Sequence, residues 1–464
     1  MLVIFTTWLT ARTYVYYHNW PHFQQEDTSV FTMWYLPPNI IREHFFESLL
    51  YLRGEPPLPQ IFLGALMKIS GWPFALPIDS ILLSLSSLAI AFIMYYVMLR
   101  FGFQQIIATI LATLWCIYPA NLGVEVAAFP TAFYEALPAF FFTLALWFCL
   151  RCFDQKNSSQ WLWLFGLMGA MLSMSRSTLS WIFLLPIIIA PFMPSNRKKI
   201  LIVCLALIMQ LLWSTKNYAV YGQFHLETAS DVGQNIFSTV INTGNFDDFY
   251  AFSIHKNPGD AFITEGIPCL FKMDIACVES HISIKTQERD IALQKNLSSN
   301  GNLYGETYFM RELSEKIKPL YTDYLLHNPT IAFNMLASSY KLFWGNIYWQ
   351  VSYIPGLDAD LLLLRTNALM EKYKWLNIIA IHALGPIALC LILITLIRRQ
   401  PLSNFQTSFL YAALAFSYVA IVSSLGDHGE NARYRIDVEP LVWLLPFMSY
   451  RCIAQFFSHR NSHD

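Results

Sequence analysis

Residues 375–400 read WLNIIAIHALGPIALCLILITLIRRQ. The apolar run from 375 to 397 is long enough to cross a hydrocarbon core as a helix, for which about 20 residues are needed. It closes on Arg398 and Arg399, and short basic connections mark the cytosolic side of a membrane. By the same criteria, further spans are expected near 79–99, 104–120, 131–151, 160–174, 177–193 and 199–214, and then near 405–425 and 438–456. The connections between them alternate in charge. One set holds Arg100, Arg151 with Lys156, Arg197-Lys198-Lys199, Arg398-Arg399, and Arg451 with Arg460. The other holds Glu26, Asp27, Glu55, Asp231, Asp247, Asp248, Asp427 and Glu430. This alternation puts the first set and both termini in the cytosol and gathers the acids outside it.

The composition agrees. Of 464 residues, 55% are hydrophobic and only 13% charged, where a soluble domain carries roughly 25% charged residues. The mean hydropathy is +0.40. A formal net charge of -1 offers no basic field of the kind that binds nucleic acid. The expected fold is an all-α polytopic membrane protein of about ten transmembrane helices with an extracytosolic mixed loop domain.

Three regions follow from this pattern. Residues 1–214 form an N-terminal transmembrane module with a first outer loop at 18–78. Its first apolar stretch, Met1 to about Tyr17, is short and contains Arg12. It lacks the basic start and small-residue cleavage site of a signal peptide, so it reads as an unusually short first helix, or one whose start is set too far downstream. The Pro-bounded run from Leu58 to about Trp72 reads as an interfacial or re-entrant helix. Residues 215–374 are rich in aromatics and poor in Gly-Ser repeats, so they can bury a core of their own. Within them, Pro329 to Tyr353 reads as a helix lying at the interface. Residues 375–464 supply the last helices. Cys116, Cys149, Cys204 and Cys390 lie in apolar runs and read as small core residues. Cys269 and Cys277 share the outer segment, where a disulfide is open to them.

Six groups of residues are candidates to carry chemistry. Glu26 and Asp27 follow the first span, where partial burial raises a carboxylate's pKa toward that of a general base; the alternative is a solvated loop acid. Glu55-Pro56-Pro57-Leu58 is a rigid element that returns the loop to the bilayer. Glu135, inside an apolar helix, costs about 2.5–3.5 kcal/mol to insert and so faces a cavity or a partner. Arg176 lies between two spans at the same outer level, where it is open to pairing with Glu135 or to simple helix packing. Lys216, Asn217 and Tyr218 leave a span ahead of Gly222, with Asp231 beyond. Arg433 and Arg435 straddle Tyr434 just before the last span, against the positive-inside trend. Cations there call for an anion such as phosphate, or else for Asp427, Glu430 or Asp437.

Taken in order, these groups resemble those of integral-membrane C-type glycosyltransferases that use polyprenyl-phosphate sugars, the superfamily of protein O-mannosyltransferases and lipid A aminoarabinose transferases. The matching features are an acid after the first helix, a PPL-type return at Glu55-Pro56-Pro57-Leu58, Glu135 at a helix start, and Arg176 after Leu172. The run Trp213…Lys216-Asn217-Tyr218…Gly222-Gln223-Phe224, followed by Asp231-x-Gly233-x-Asn235, and the terminal Arg433-Tyr434-Arg435 with Pro440 complete the set. Lys216 departs from the family's usual arginine, and the histidine that follows PP-type motifs elsewhere is absent.

The resemblance implies an inverting glycosyltransferase of the cell envelope. It would move a hexose or pentose from a polyprenyl-phosphate carrier to an acceptor (protein, lipid or glycan) at the extracytosolic membrane face. Asp27 would be the base, with Glu26 and Glu55 as alternates. Glu135, Arg176, Lys216, Tyr218, Asp231, Arg433, Tyr434 and Arg435 would bind substrate. The partners implied are the lipid-linked donor, that acceptor and membrane lipids. No cofactor is indicated, and a divalent metal is left open. The competing readings are a transporter or flippase of a lipid-linked sugar, and an O-antigen ligase- or polymerase-like envelope assembly protein.

Overall fold

Every described element is a helix, and no strand occurs among the described residues. The computed structural model describes residues 1–19, 42–51, 56–70, 75–126, 131–154, 158–193, 199–221, 224, 240, 244–272, 277, 280–281, 308–345, 361–426 and 431–460. The N-terminal part holds α1 (Leu2–Asn19), α2 (Phe45–Tyr51), α3 (Pro57–Ser70), α4 (Ala75–Arg100), α5 (Gln105–Cys116), α6 (Pro119–Val126), α7 (Thr131–Arg151), α8 (Ser158–Ser173), α9 (Leu184–Ile189) and α10 (Lys199–Tyr221). The middle holds α11 (Phe246–Lys256), a π-turn at Phe262–Gly266, α12 (Ile267–Phe271), α13 (Tyr308–His327) and α14 (Pro329–Phe343). The chain ends on α15 (Leu361–Ile397), α16 (Asn404–Gly426) and α17 (Asn431–Arg460).

Among the described residues, four stretches are long and apolar enough to cross a membrane: Ile78–Arg100, Gln105–Gly123, Lys374–Ile397 and Asn404–Leu425. Ala136–Arg151 is a shorter apolar helix. The expected span at 177–193 is not one helix. A 3-10 turn at Ser177–Leu179, the short α9 and another 3-10 turn at Ala190–Phe192 share it. Pro186 and Pro191 explain the breaks, since each lacks the N–H that a helix interior needs. Gly169 of α8 lets this broken segment approach, because a Cβ there would lie 2.6 Å from Pro186 Cγ.

α1 accommodates its arginine by burying it at a helix end. The Arg12 guanidinium donates to the Cys116 carbonyl at the C-terminus of α5 and, at 2.9 Å, to Ser87 Oγ of α4. A cation is favoured there, where the helix carbonyls leave partial negative charge. Trp8 adds a bond from its indole N–H to the Ser84 carbonyl at 2.9 Å.

The bundle core runs through α1, α4, α5, α7, α8, α16 and α17. A separate apolar cluster lies in the middle segment, where Phe249 of α11 meets Ile317, Tyr321 and Tyr324 of α13 and Phe262 and Ile263 of the π-turn. The described part of this segment is helical. Cys269 and Cys277 are joined there as a disulfide, which fits an oxidising compartment.

Burial pushes the Tyr321 hydroxyl up to about 12 from an ordinary 10.0, with Tyr324 adding to the shift. The folded state therefore holds a proton that the unfolded chain releases at lower pH. This contribution is complete below pH 10 and is lost as pH climbs toward 12. Thermal stability of the middle segment is expected to fall across that window, and Tyr321→Phe should flatten the fall when unfolding is followed by near-ultraviolet circular dichroism.

Two groups of polar side chains lie at opposite ends of the bundle. At one end Asp154 binds Arg100 at 3.1 Å and Arg151 at 2.9 Å. Ser403 bonds Gln455 there, Phe101 meets the Phe405 ring at a tilt, and Gly102 lies under the Arg451 guanidinium. Connections expected on one side of the membrane thus meet at one end.

Candidate functional site

Of the groups singled out from the sequence, the other end brings together Arg176, Tyr434 and Arg435. Leu58, at the start of α3, donates its backbone N–H to the Met174 carbonyl at 3.0 Å. This bond docks the Pro56-Pro57 return against the turn that carries Arg176. Two prolines make that docking rigid, because each fixes its own φ. Arg176 points into the bundle, and its Nη1 lies 3.2 Å from both carboxylate oxygens of Asp437 on α17. Its guanidinium also covers the Tyr434 ring at 4.1 Å. Both partners are buried, with side-chain exposures of 7% and 0%. A pair this dry is held by geometry, because each charge has given up its water.

A second buried pair stands one turn away. Arg435 Nε donates to Glu439 Oε2 at 2.9 Å, and Arg435 is fully buried. The other carboxylate oxygen of Glu439 accepts from Tyr118 at 3.2 Å and from the Trp443 indole at 3.1 Å. Arg435 Nη1 also donates to the carbonyls of Phe343 and Gly345, at 3.1 and 3.2 Å. Lys374 Nζ reaches the same Gly345 carbonyl at 3.3 Å. Two cations thus close the C-terminal end of α14, where they complement the helix dipole. Gly345 is needed at this junction, since a Cβ would fall 2.7 Å from the Leu342 carbonyl oxygen.

α10 joins the same region through Gln210, whose amide donates to Ser173 Oγ on α8. Lys216, two turns further on, lies half-buried with its ammonium 3.7 Å from the centre of the Trp213 ring. Tyr218 is 61% exposed, so its hydroxyl is available to a ligand. Asp27, Glu26, Glu55 and Asp231 lie outside the described residues. Glu135 is on α7 and Arg433 on α17, with side chains outside the description.

The expected placement of Arg433-Tyr434-Arg435 just before the last span needs correction. These residues form the first turns of α17, and Arg435 and Tyr434 are buried. The salt-bridge partner of Arg435 is Glu439, and Asp437 serves Arg176 instead. The R-x-x-x-E spacing that brings Arg435 and Glu439 together was legible as an i,i+4 helix pair. Tyr118 and Lys374 carried no comparable signal. For a metal, the described residues offer one cluster, Cys269, Cys277 and His281. It sits in the middle segment, and its disulfide removes the two thiolates that would bind an ion.

A groove opens beside the second pair. It has a volume of about 240 Å³ and runs between α5, α15 and α17, with Tyr118, Lys374, Asn377 and Glu439 among its lining residues. Chemically, this end of the bundle combines dry cations, a rigid loop return and a cleft reaching into apolar wall. Helices long and apolar enough for a membrane, with charge gathered at their ends, define the class only as far as a helical membrane protein. No protein-family model, curated protein or solved structure matches the chain.

Proposed function

We propose that the chain is an inverting glycosyltransferase that takes a sugar from a polyprenyl-phosphate carrier. In this reading it crosses the membrane about ten times, keeps both termini in the cytosol and works at the periplasmic, exterior or lumenal face. The observation that carries it is the convergence of Leu58–Met174, Arg176–Asp437 and Arg435–Glu439 at one end of the bundle. A lipid-linked sugar has its reactive bond at the interface, so base and cations must meet there.

The reaction is one displacement. A carboxylate, Asp27 with Glu26 or Glu55 as alternates, takes the proton of the acceptor hydroxyl. The hydroxyl oxygen bonds to the anomeric carbon, and the bond from that carbon to phosphate oxygen breaks. Its electron pair leaves with polyprenyl phosphate. Base catalysis of this kind contributes a factor of about 10²–10⁴. In this reading Arg176, Lys216 and Arg433 meet the charge that grows on the leaving phosphate. Arg435 holds the end of α14 in place.

One observation favours transport instead: Arg12, Ser87 and Asn121 form a buried polar chain inside the bundle, and transporters carry polar groups within the membrane. Purified protein in proteoliposomes, given radiolabelled polyprenyl-phosphate sugar and an envelope extract, separates the two. Transfer moves label from the polyprenyl fraction into the acceptor. Flux of intact lipid-linked sugar without that transfer overturns the reading.

A further inference from the structure

We propose that Cys269, Cys277, His281 and Glu265 form a redox-gated zinc site in the middle segment, closed by the disulfide and opened by its reduction. The site uses none of the groups assigned to sugar transfer. The ligand atoms of Cys269, Cys277 and His281 all lie within 4.8 Å of one another, and all three residues are half-buried. His281 Nε2 stands 3.8 Å from Glu265 Oε2, with side-chain exposures of 16% and 69%. A tetrahedral zinc ion bonds sulfur at about 2.3 Å and nitrogen or oxygen at about 2.0–2.2 Å, which holds its ligand atoms roughly 3.3–3.8 Å apart. The four donors are thus near those separations before any metal binds. Only the two sulfurs, now bonded to each other, must part. Two thiolates and an imidazole favour zinc over calcium and magnesium, which take oxygen ligands.

The surroundings hold these donors in place. Cys269 lies on α12, directly after the π-turn that carries Glu265. Asp260 Oδ1 accepts from the Phe262 N–H at 2.9 Å, and Tyr250 donates to the Thr264 carbonyl at 2.9 Å, which fixes the turn. Phe262 and Ile267 anchor it in the segment's apolar cluster. Gly266 lies against His281, since a Cβ there would come 3.5 Å from the His281 Cβ. Ser280 Oγ donates to the Cys277 carbonyl at 2.6 Å. A π-turn adds a residue to a helical turn, and such turns recur at functional sites.

Opening the site needs two electrons. A dithiol reductant supplies them, becomes a disulfide itself, and leaves its protons on the sulfurs of Cys269 and Cys277. Zinc then displaces those protons to solvent as the two zinc–sulfur bonds form. The ion keeps its oxidation state throughout. Exchange with an oxidising disulfide restores the sulfur–sulfur bond, returns the dithiol and releases the ion. Under reducing conditions the metal thus replaces the covalent clip between Cys269 and Cys277.

The test uses full-length protein in nanodiscs, either oxidised or reduced with a phosphine that is then removed, and cobalt(II) as a coloured probe for zinc. Reduced wild type should take up a single cobalt ion with the visible absorption of a tetrahedral thiolate site, and zinc should bleach it. Oxidised protein should show no such absorption. Zinc should also shield Cys269 and Cys277 of the reduced protein from iodoacetamide, as mapped by mass spectrometry. Cys277→Ser should abolish the cobalt absorption. His281→Ala keeps the disulfide, so its fold is checked by near-ultraviolet circular dichroism before reduction. It should weaken cobalt binding by about 100-fold, and Glu265→Gln by about tenfold. Reduced wild type that binds no cobalt, or absorption equal in oxidised and reduced protein, overturns the site. So does absorption that survives in Cys277→Ser, or affinity unchanged in His281→Ala or Glu265→Gln.

Discussion

Arg435→Met is expected to destabilise the protein by about 3–5 kcal/mol, the usual cost of removing one partner from a buried ion pair. The substitution leaves Glu439, 5% exposed at its side chain, without its cation. It also strips the Phe343 and Gly345 carbonyls of a shared donor. Methionine fills much of the volume, so the loss is electrostatic and not a cavity effect. Exchanging both partners, Arg435→Met with Glu439→Gln, should recover a large part of the stability, because no uncompensated charge then remains. Cys116, Cys149, Cys152 and Cys452 are buried thiols and report unfolding through a thiol-reactive dye once Cys204 and the exposed Cys390 are replaced by Ser. A single variant as stable as wild type would mean that water reaches Glu439 in the protein.

Arg176 and Asp437 are expected to behave as one unit in both stability and turnover. A double-mutant cycle with Arg176→Met and Asp437→Asn should give a coupling energy of about 1–3 kcal/mol, as found for residues in one charged network. Arg176→Lys should not rescue. A lysine ammonium cannot hold two oxygens at 3.2 Å while lying flat on a ring 4.1 Å away. Tyr434 separates packing from hydrogen bonding in the same place. Tyr434→Phe keeps the ring and should be nearly silent, whereas Tyr434→Leu forfeits a cation–π contact worth about 0.5–2 kcal/mol. Additive effects in the cycle would show the two charges acting independently.

The long apolar helices were legible because hydropathy over about 20 residues is a local property. The stretches near 79–99, 375–397 and 405–425 have close counterparts in α4, α15 and α16. The segment 177–193 misled because hydropathy does not register what Pro186 and Pro191 do to backbone donors. Arg12 looked anomalous in an apolar run, and its explanation lies at the end of a helix more than a hundred residues away, at the Cys116 carbonyl. The candidate site divides the same way. Arg176 and Arg435 were recognisable as cations out of place at a membrane face. Asp437 was visible only as one of several acids nearby, since its partner lies 261 residues away in sequence. Glu439 could have been paired with Arg435 from helical spacing alone. Lys374 could not, because its place beside Gly345 depends on how α14 and α15 pack.

The most direct measurement is the release of polyprenyl phosphate from polyprenyl-phosphate sugars by purified protein, wild type beside Asp27→Asn. The expected result is release that depends on an acceptor in the wild type and falls by a factor of about 10²–10⁴ in the variant. Release that survives in Asp27→Asn would move the base to Glu26 or Glu55. No release from any lipid-linked donor, under conditions where the protein stays folded, would contradict the transferase outright.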